Sequence, residues 1–180
     1  MTRVLVPVAD GSEEMEVVIV VDTLRRAKWD VVVAGLKEGP ITASRGVKIV
    51  PDATMDRVDA SSFDVLVIPG GAKGVEHLAG DARVLAAVRA MHSAGKIVAA
   101  VCAGPLVLQE AGILEGYRAT CHPAVADRLT SATRVDEKVV EDGKIITSQG
   151  AGTSFHFALR IIERIEGRAM AEEVARGMVL

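Results

Sequence analysis

The chain is poor in aromatics and cysteine, has no long apolar run and carries no excess of one charge. Three phenylalanines, one tyrosine and one tryptophan make up 3% of 180 residues, too few for a base-stacking platform. Lysine and arginine number 21 against 24 aspartates and glutamates, a net charge of −3. With no basic cluster either, nucleic acid is not expected as the main ligand. No apolar run approaches the roughly 20 residues that span a bilayer, so no membrane partner is expected. The first residues enter a strand directly, without the pattern of a signal peptide. Cys102 and Cys121 form no disulfide framework and show no metal-ligand spacing. A reducing, cytoplasmic setting and no metal are therefore expected.

What is present is a Val, Ala, Leu and Ile core, with 49% of residues hydrophobic. Residues 1–180 read as one α/β domain, long enough for a sizeable core. Its organising stretch is Ile97-Val98-Ala99-Ala100-Val101-Cys102-Ala103-Gly104-Pro105. A short unbroken apolar run fits a parallel strand covered on both faces. Pro105 suits the first turn of a helix, and Gly112 is placed to end it. Cys102 thus falls where a buried strand turns sharply into a helix, the geometry of a nucleophile elbow with sulfur as the nucleophile. Nearby helix N–H groups would favour a thiolate. On this stretch alone, a small buried hydrophobe is an equal reading.

In order, Val4 to Ala9 reads as a strand, and Asp10-Gly11-Ser12 turns it into a helix ending near Ala27. Asp10 or Ser12 is the expected N-cap, with Glu13 and Glu14 in the first turn. Asp30 to Leu36 is a second strand, giving the strand–helix–strand unit of a parallel sheet. Val47 to Val50 suggests part of a side hairpin, and Asp64 to Ile68 a buried strand closed by Pro69-Gly70-Gly71. Asp81 caps a helix reaching about Ala94. A short strand near Ala119-Thr120-Cys121 precedes a helix begun by His122-Pro123. Lys138 to Ser148 reads as a hairpin about Asp142-Gly143. Helices near 153–165 and 169–177 finish the chain.

The first helix has two apolar faces. Val17, Val20, Val21, Leu24 and Ala27 should cover the sheet, while Met15, Val18 and Ile19 lie opposite, alongside Asp22 and Arg26. A second copy of the chain is the expected cover, making a homodimer with Met15, Val18, Ile19 and Asp22 in its interface. Glu16 lies at the border of the sheet-facing side, near the end of the first strand. Strand ends of a parallel sheet open on the edge where ligands bind. Glu16, the Gly70-Gly71 turn and His122 would then converge on Cys102.

Several segments together resemble the ThiJ/PfpI superfamily, in its branch holding the parkinsonism-associated protein deglycase and bacterial relatives. They are Gly11 to Glu16, Ala43 to Gly46, Val67 to Gly71, Val101 to Pro105, Thr120 to Pro123 and Thr147 to Phe155. The resemblance spans almost the whole chain. It implies a flavodoxin-like three-layer sandwich with a mostly parallel sheet, a homodimer, and an oxidation-prone nucleophile at Cys102. Glu16 would contact the sulfur, His122 would lie close, and the N–H groups of Gly71 and Ala103 would form an oxyanion pocket. Arg45, and Arg26 across the dimer, would lie near the mouth. The peptidase branch has a histidine after its cysteine, and here that position is Ala103, which disfavours proteolysis.

The chemistry implied is a cofactor-free glyoxalase or deglycase acting on methylglyoxal, glyoxal or early glycation adducts of side chains. A protonated Glu16 beside a largely ionised Cys102 is the expected resting state. The competing reading is an oxidative-stress sensor or redox-activated chaperone working through oxidised Cys102. Cys121 reads as packing, Trp29 as packing at the first helix end, and His77, His92 and His156 as solvent-facing or structural.

Overall fold

A computed structural model describes residues 1–180. Strand β1 (Arg3–Val8) leads into helix α1 (Glu14–Arg26) and back through β2 (Asp30–Gly35). A small antiparallel hairpin of β3 (Ile41–Thr42) and β4 (Lys48–Ile49) follows, then the edge strand β5 (Ala53–Thr54). Next come β6 (Val65–Ile68), α2 (Ala72–Ala79), α3 (Ala82–Ser93), β7 (Ile97–Val101) and α4 (Pro105–Glu110). The remainder is β8 (Arg118–Ala119), a 3-10 turn at Pro123–Arg128, β9 (Thr133–Arg134), β10 (Val139–Asp142), β11 (Ile145–Ser148), α5 (Ser154–Glu166) and α6 (Arg168–Gly177).

The seven-stranded sheet has the order β10-β11-β7-β6-β1-β2-β5, with β10 alone antiparallel to its neighbour. From β1 the chain builds outward to β2 and β5, then crosses back to add β6, β7 and β11 on the other side. The reversal between β1 and β6 is the switch point at which open parallel sheets leave a crevice beyond their strand ends. Alternation assigns the two faces. Val4, Val6 and Val8 pack with Val17, Val20 and Leu24 of α1 and with Phe157 and Ile161 of α5. Leu5, Leu66 and Ile68 pack with Val75 and Leu78 of α2, Val84 and Val88 of α3, and Leu106 of α4. Helices on both faces explain why the strands read as unbroken apolar runs. The whole is the expected α/β sandwich.

Two local expectations fail for physical reasons, and one helix has no clear signal in the sequence. Neither Asp10 nor Ser12 caps α1; the cap position is Glu13, whose side chain makes no capping bond. The Ser12 hydroxyl instead accepts the Ala9 N–H at 3.0 Å, and the first-turn acids are Glu14 and Glu16. Helix α2 was hidden by Gly74, a residue that weakens a helix. Glycine is needed there, because a Cβ would come within 2.5 Å of the Ser12 nitrogen. The strand expected at 119–121 is Arg118–Ala119, paired with β9 in a separate two-stranded sheet.

On the outer face of α1, Met15 and Val18 are 55% and 53% exposed. Ile19 is half-buried and Asp22 exposed. Trp29 is buried, and its indole N–H donates to Glu166 Oε1 at 3.1 Å. No helix is long and apolar enough to cross a membrane.

Candidate active site

At the end of β7 the backbone turns through Cys102 at φ 63°, a left-handed conformation costing a non-glycine residue about 1–2 kcal/mol. Its surroundings hold it there. The Cys102 N–H donates to Ser148 O at 3.0 Å, and its carbonyl accepts the His122 N–H at 2.9 Å. Gly104 lets the turn close: a Cβ on it would lie 2.6 Å from Ile68 O. Pro105 then opens α4, as its missing N–H allows. The expected elbow is present, and its sulfur is half-buried.

Glu16 sits in the first turn of α1, just beyond the end of β1, and is 1% exposed. The Gly70 N–H donates to its Oε2 at 2.7 Å, and Gly70 packs between this carboxyl and the Cys102 sulfur. Gly70, the second residue after β6, permits this meeting. A Cβ there would come within 2.5 Å of Cys102 Cβ and 2.6 Å of Glu16 Oε2. Three strand ends thus supply the sulfur, the acid and the spacer between them.

Burial pushes the Glu16 carboxyl up from 4.5 to about 7, aided by the charge of Glu13 and opposed by the Cys102 and Gly70 hydrogen bonds. Burial also pushes the Cys102 thiol up to about 12, followed by the charge and hydrogen bond of Glu16. The N–H groups of Gly71 and Ala103 act on the sulfur in the opposite direction. The two groups titrate as a pair. Burial favours the protonated form of each group, and the Gly71 and Ala103 N–H groups favour the thiolate.

The other expected residues divide. The Gly71 and Ala103 N–H groups lie close enough to the sulfur to favour its charged form. Gly70 does not belong with them, because its N–H is engaged by Glu16. His122 joins Cys102 through the main chain, and its exposed ring accepts the Ala124 N–H on Nδ1 at 3.1 Å. That bond leaves Nε2 as the protonated nitrogen of the neutral ring. Arg45 is exposed on the turn between β3 and β4, which is bound to the β1–α1 loop by the Ser44 N–H to Ser12 O bond of 2.9 Å. Arg26 lies three turns of α1 beyond Glu16 and pairs with Asp22 at 2.7 Å. It is not part of this chain's own site.

Sequence reasoning passed over Glu14 and Ser44. The Ser44 hydroxyl donates toward Glu13 Oε2 at 2.6 Å and Glu14 Oε2 at 2.8 Å, and the Arg45 N–H donates to Glu14 Oε1 at 2.7 Å. Nothing in local spacing links residues so far apart; the adjacent acids Glu13 and Glu14 were the only signal. Among the histidines, His92 is half-buried against Tyr117, while His77 and His156 are exposed. No group of three or more His, Cys, Asp or Glu side chains is placed to hold a metal ion. The larger clefts, about 620 Å³ beside α5 and α6 and about 560 Å³ beside Lys96 and Lys144, are not lined by Cys102.

A strained cysteine on a strand-to-helix elbow, beside a buried acid at the switch point of a parallel sheet, defines a cysteine-elbow α/β sandwich. The chain belongs to the DJ-1/PfpI family, whose model matches residues 2–164. It is 40% identical to Protein DJ-1 homolog B of Arabidopsis thaliana over 99% of its own length, spanning 41% of that longer protein. It is 36% identical to the glutathione-independent glyoxalase DJR-1.2 of Caenorhabditis elegans, covering 98% of this chain and 95% of that one. The crystal structure of Drosophila melanogaster DJ-1beta superposes with a TM-score of 0.96 at 41% identity, over 99% of this chain and 98% of that one.

Proposed function

We propose that the protein is a cysteine-dependent, cofactor-free glyoxalase acting on methylglyoxal or glyoxal, with early glycation adducts as further substrates of the same site. The observation that carries this reading is the buried Glu16 carboxyl, held by the Gly70 N–H beside the Cys102 sulfur. It gives a poor resting nucleophile an immediate base. As Sγ attacks the aldehyde carbon, the thiol proton passes to the Glu16 carboxylate, and the carbonyl electron pair moves onto oxygen facing the Gly71 and Ala103 N–H groups. Protonation of that oxygen gives a hemithioacetal. Glu16 and His122 Nε2 then move a proton from the former aldehyde carbon to its neighbour, converting the adduct to a thioester. Water cleaves it to lactate or glycolate and restores the thiol. The sum is dicarbonyl plus water giving hydroxy acid, with no net oxidation.

The test is methylglyoxal consumption with lactate detection by freshly reduced protein, free of metal and glutathione, beside Cys102→Ser. Turnover by wild type and its loss in the variant is expected. Inactive reduced wild type would overturn the glyoxalase reading and favour Cys102 oxidation as the working event, in a sensor or chaperone.

The working form is a homodimer. Supporting this, Met15 and Val18 on α1 are exposed, as are Val47 and Val50 beside the β3–β4 hairpin. Val18 and Val50 line one shallow hollow, so the apolar face is continuous, and a self-complementary interface would cover it. Light scattering should return twice the 18.9 kDa chain mass; a monomer at micromolar concentration would refute it.

A further inference from the structure

The segment from His122 to Ser131 runs over the outside of the molecule, and only Leu129 in it is buried. Its first residue is fastened to the elbow, the His122 N–H donating to the Cys102 carbonyl at 2.9 Å. The His122 ring then holds the Ala124 N–H at 3.1 Å, and it lies against Gly150, where a Cβ would stand 3.3 Å from its Cδ2. The far end is fastened by one side chain. Gln109, in the last turn of α4, accepts the Thr130 N–H at 2.8 Å and the Ser131 N–H and hydroxyl at 3.1 Å each on its Oε1. Its Nε2 donates to Arg128 O at 2.9 Å. Leu106, Val107 and Leu108 before it are buried, so a glutamine that merely faced solvent would fit the pattern of the helix. Four bonds to residues 19 to 22 positions further on give it a different duty. They satisfy main-chain groups that have no sheet ladder to join.

We infer that Gln109 is a positioning residue for His122. It pins the far end of the 122–131 segment to the helix that Cys102 opens, so one rigid element sets both the sulfur and the imidazole. The proton-moving role of His122 rests on the glyoxalase reading; its placement by Gln109 does not. Gln109 touches no reactant and acts only through the segment. An exposed stretch with a single buried side chain opens easily, and a proton transfer between neighbouring carbons tolerates little drift of the group that carries it.

The experiment combines residue-resolved amide hydrogen exchange with methylglyoxal turnover, both on reduced full-length protein. Gln109→Met keeps the length and helix preference of the side chain and removes all four bonds. It should speed exchange at Thr130 and Ser131, and also at Ala124, by about three- to tenfold, the worth of a hydrogen bond. Exchange in β7 should not change. Gln109→Glu keeps the acceptor for Thr130 and Ser131 and should stay near wild type. Ser131→Ala removes one bond, should give a smaller rise at Ala124, and carries the test if Gln109→Met does not fold. In turnover, Gln109→Met should lower kcat about three- to tenfold with KM little moved. In a His122→Gln background it should cost nothing further, as befits two residues acting on one step. Fast exchange confined to Thr130 and Ser131 would overturn the placement of His122. Equal losses of turnover with and without His122 would overturn it too, since a general structural fault harms both backgrounds alike. Inactive wild type with the expected exchange pattern would strike the glyoxalase reading and leave the placement standing.

Discussion

Glu14 and Glu16 stand two residues apart in the first turn of α1, both nearly inaccessible, and their surroundings drive them in opposite directions. Glu14 faces the β3–β4 turn. Burial opposes its charge, but its own N–H, the Ser44 hydroxyl and the Arg45 and Val47 N–H groups outweigh this, so its carboxyl is held below the ordinary value. Glu16 faces the elbow, where it has one N–H from Gly70 and a thiol, and desolvation wins. A helix turns 100° per residue, so a spacing of two sends neighbouring acids to different walls. One becomes a fixed anion that organises structure. The other becomes an acid that can gain or lose a proton near neutrality, the property general acid–base work requires.

The most damaging way to break this contrast is Glu16→Gln. The amide keeps an acceptor for the Gly70 N–H and can donate toward sulfur, but it cannot take the thiol proton. Turnover should fall by about 10²- to 10⁴-fold, the usual worth of a positioned general base. The same variant should be more stable at pH 8 than wild type. Because the folded pKa is raised from 4.5 to about 7, the native state holds a proton that the unfolded chain gives up. The penalty is absent below about 4.5, grows through that window and is complete above 7. It amounts to at most about 3 kcal/mol. Lower activity with a higher melting temperature at pH 8, the gain vanishing by pH 4.5, is the expected result. Unchanged turnover would remove Glu16 from the chemistry.

Gly70→Ala attacks the contact between the two groups rather than either one. The new Cβ would lie at 2.5 Å from Cys102 Cβ and 2.6 Å from Glu16 Oε2, closer than atoms can approach. Glu16 must then be pushed from the sulfur or the β6–α2 turn must shift. Turnover should drop about 10²-fold, consistent with misplacement of a positioned group, with a stability loss of about 1–3 kcal/mol from overpacking. Wild-type turnover in this variant would show that the acid and the thiol need not touch.

Much of this arrangement was legible in the chain because it is written in local signals. The run Ile97 to Val101 ending in Cys102 and Pro105 marks the elbow by burial and backbone chemistry alone. Gly70 and Gly71 announce a close approach, but only the fold divides their duties, giving one N–H to Glu16 and the other to sulfur. Glu16 could be placed at the correct sheet edge, yet its neighbour's role could not. The ties from Glu14 join residues 30 and 31 positions away, through the Ser44 hydroxyl and the Arg45 main-chain N–H, and no local pattern marks them. Helix α2 was hidden by Gly74, retained for contact with Ser12 at a cost to local propensity. Helix-end N–H groups that favour a thiolate are visible in the pattern of the chain, whereas the desolvation opposing them depends on the packed surroundings.

The mildest test separates the two acids by the pH dependence of stability. Glu14 has a depressed folded pKa, so its contribution is fully present above its unfolded value near 4.5 and is lost as pH falls through the lower folded value. Glu14→Gln should therefore cost stability at pH 7, by about 1 kcal/mol for exchanging charge-assisted hydrogen bonds with neutral ones, and the deficit should shrink as pH falls below 4.5. Glu16→Gln has the opposite sign and the higher window. Melting curves of the two variants against wild type at pH 3.5, 5.5 and 8 should diverge in opposite directions as pH rises. Curves that move together would mean the two acids share one electrostatic environment, and the division of labour between the fixed anion and the proton acceptor would fall with it.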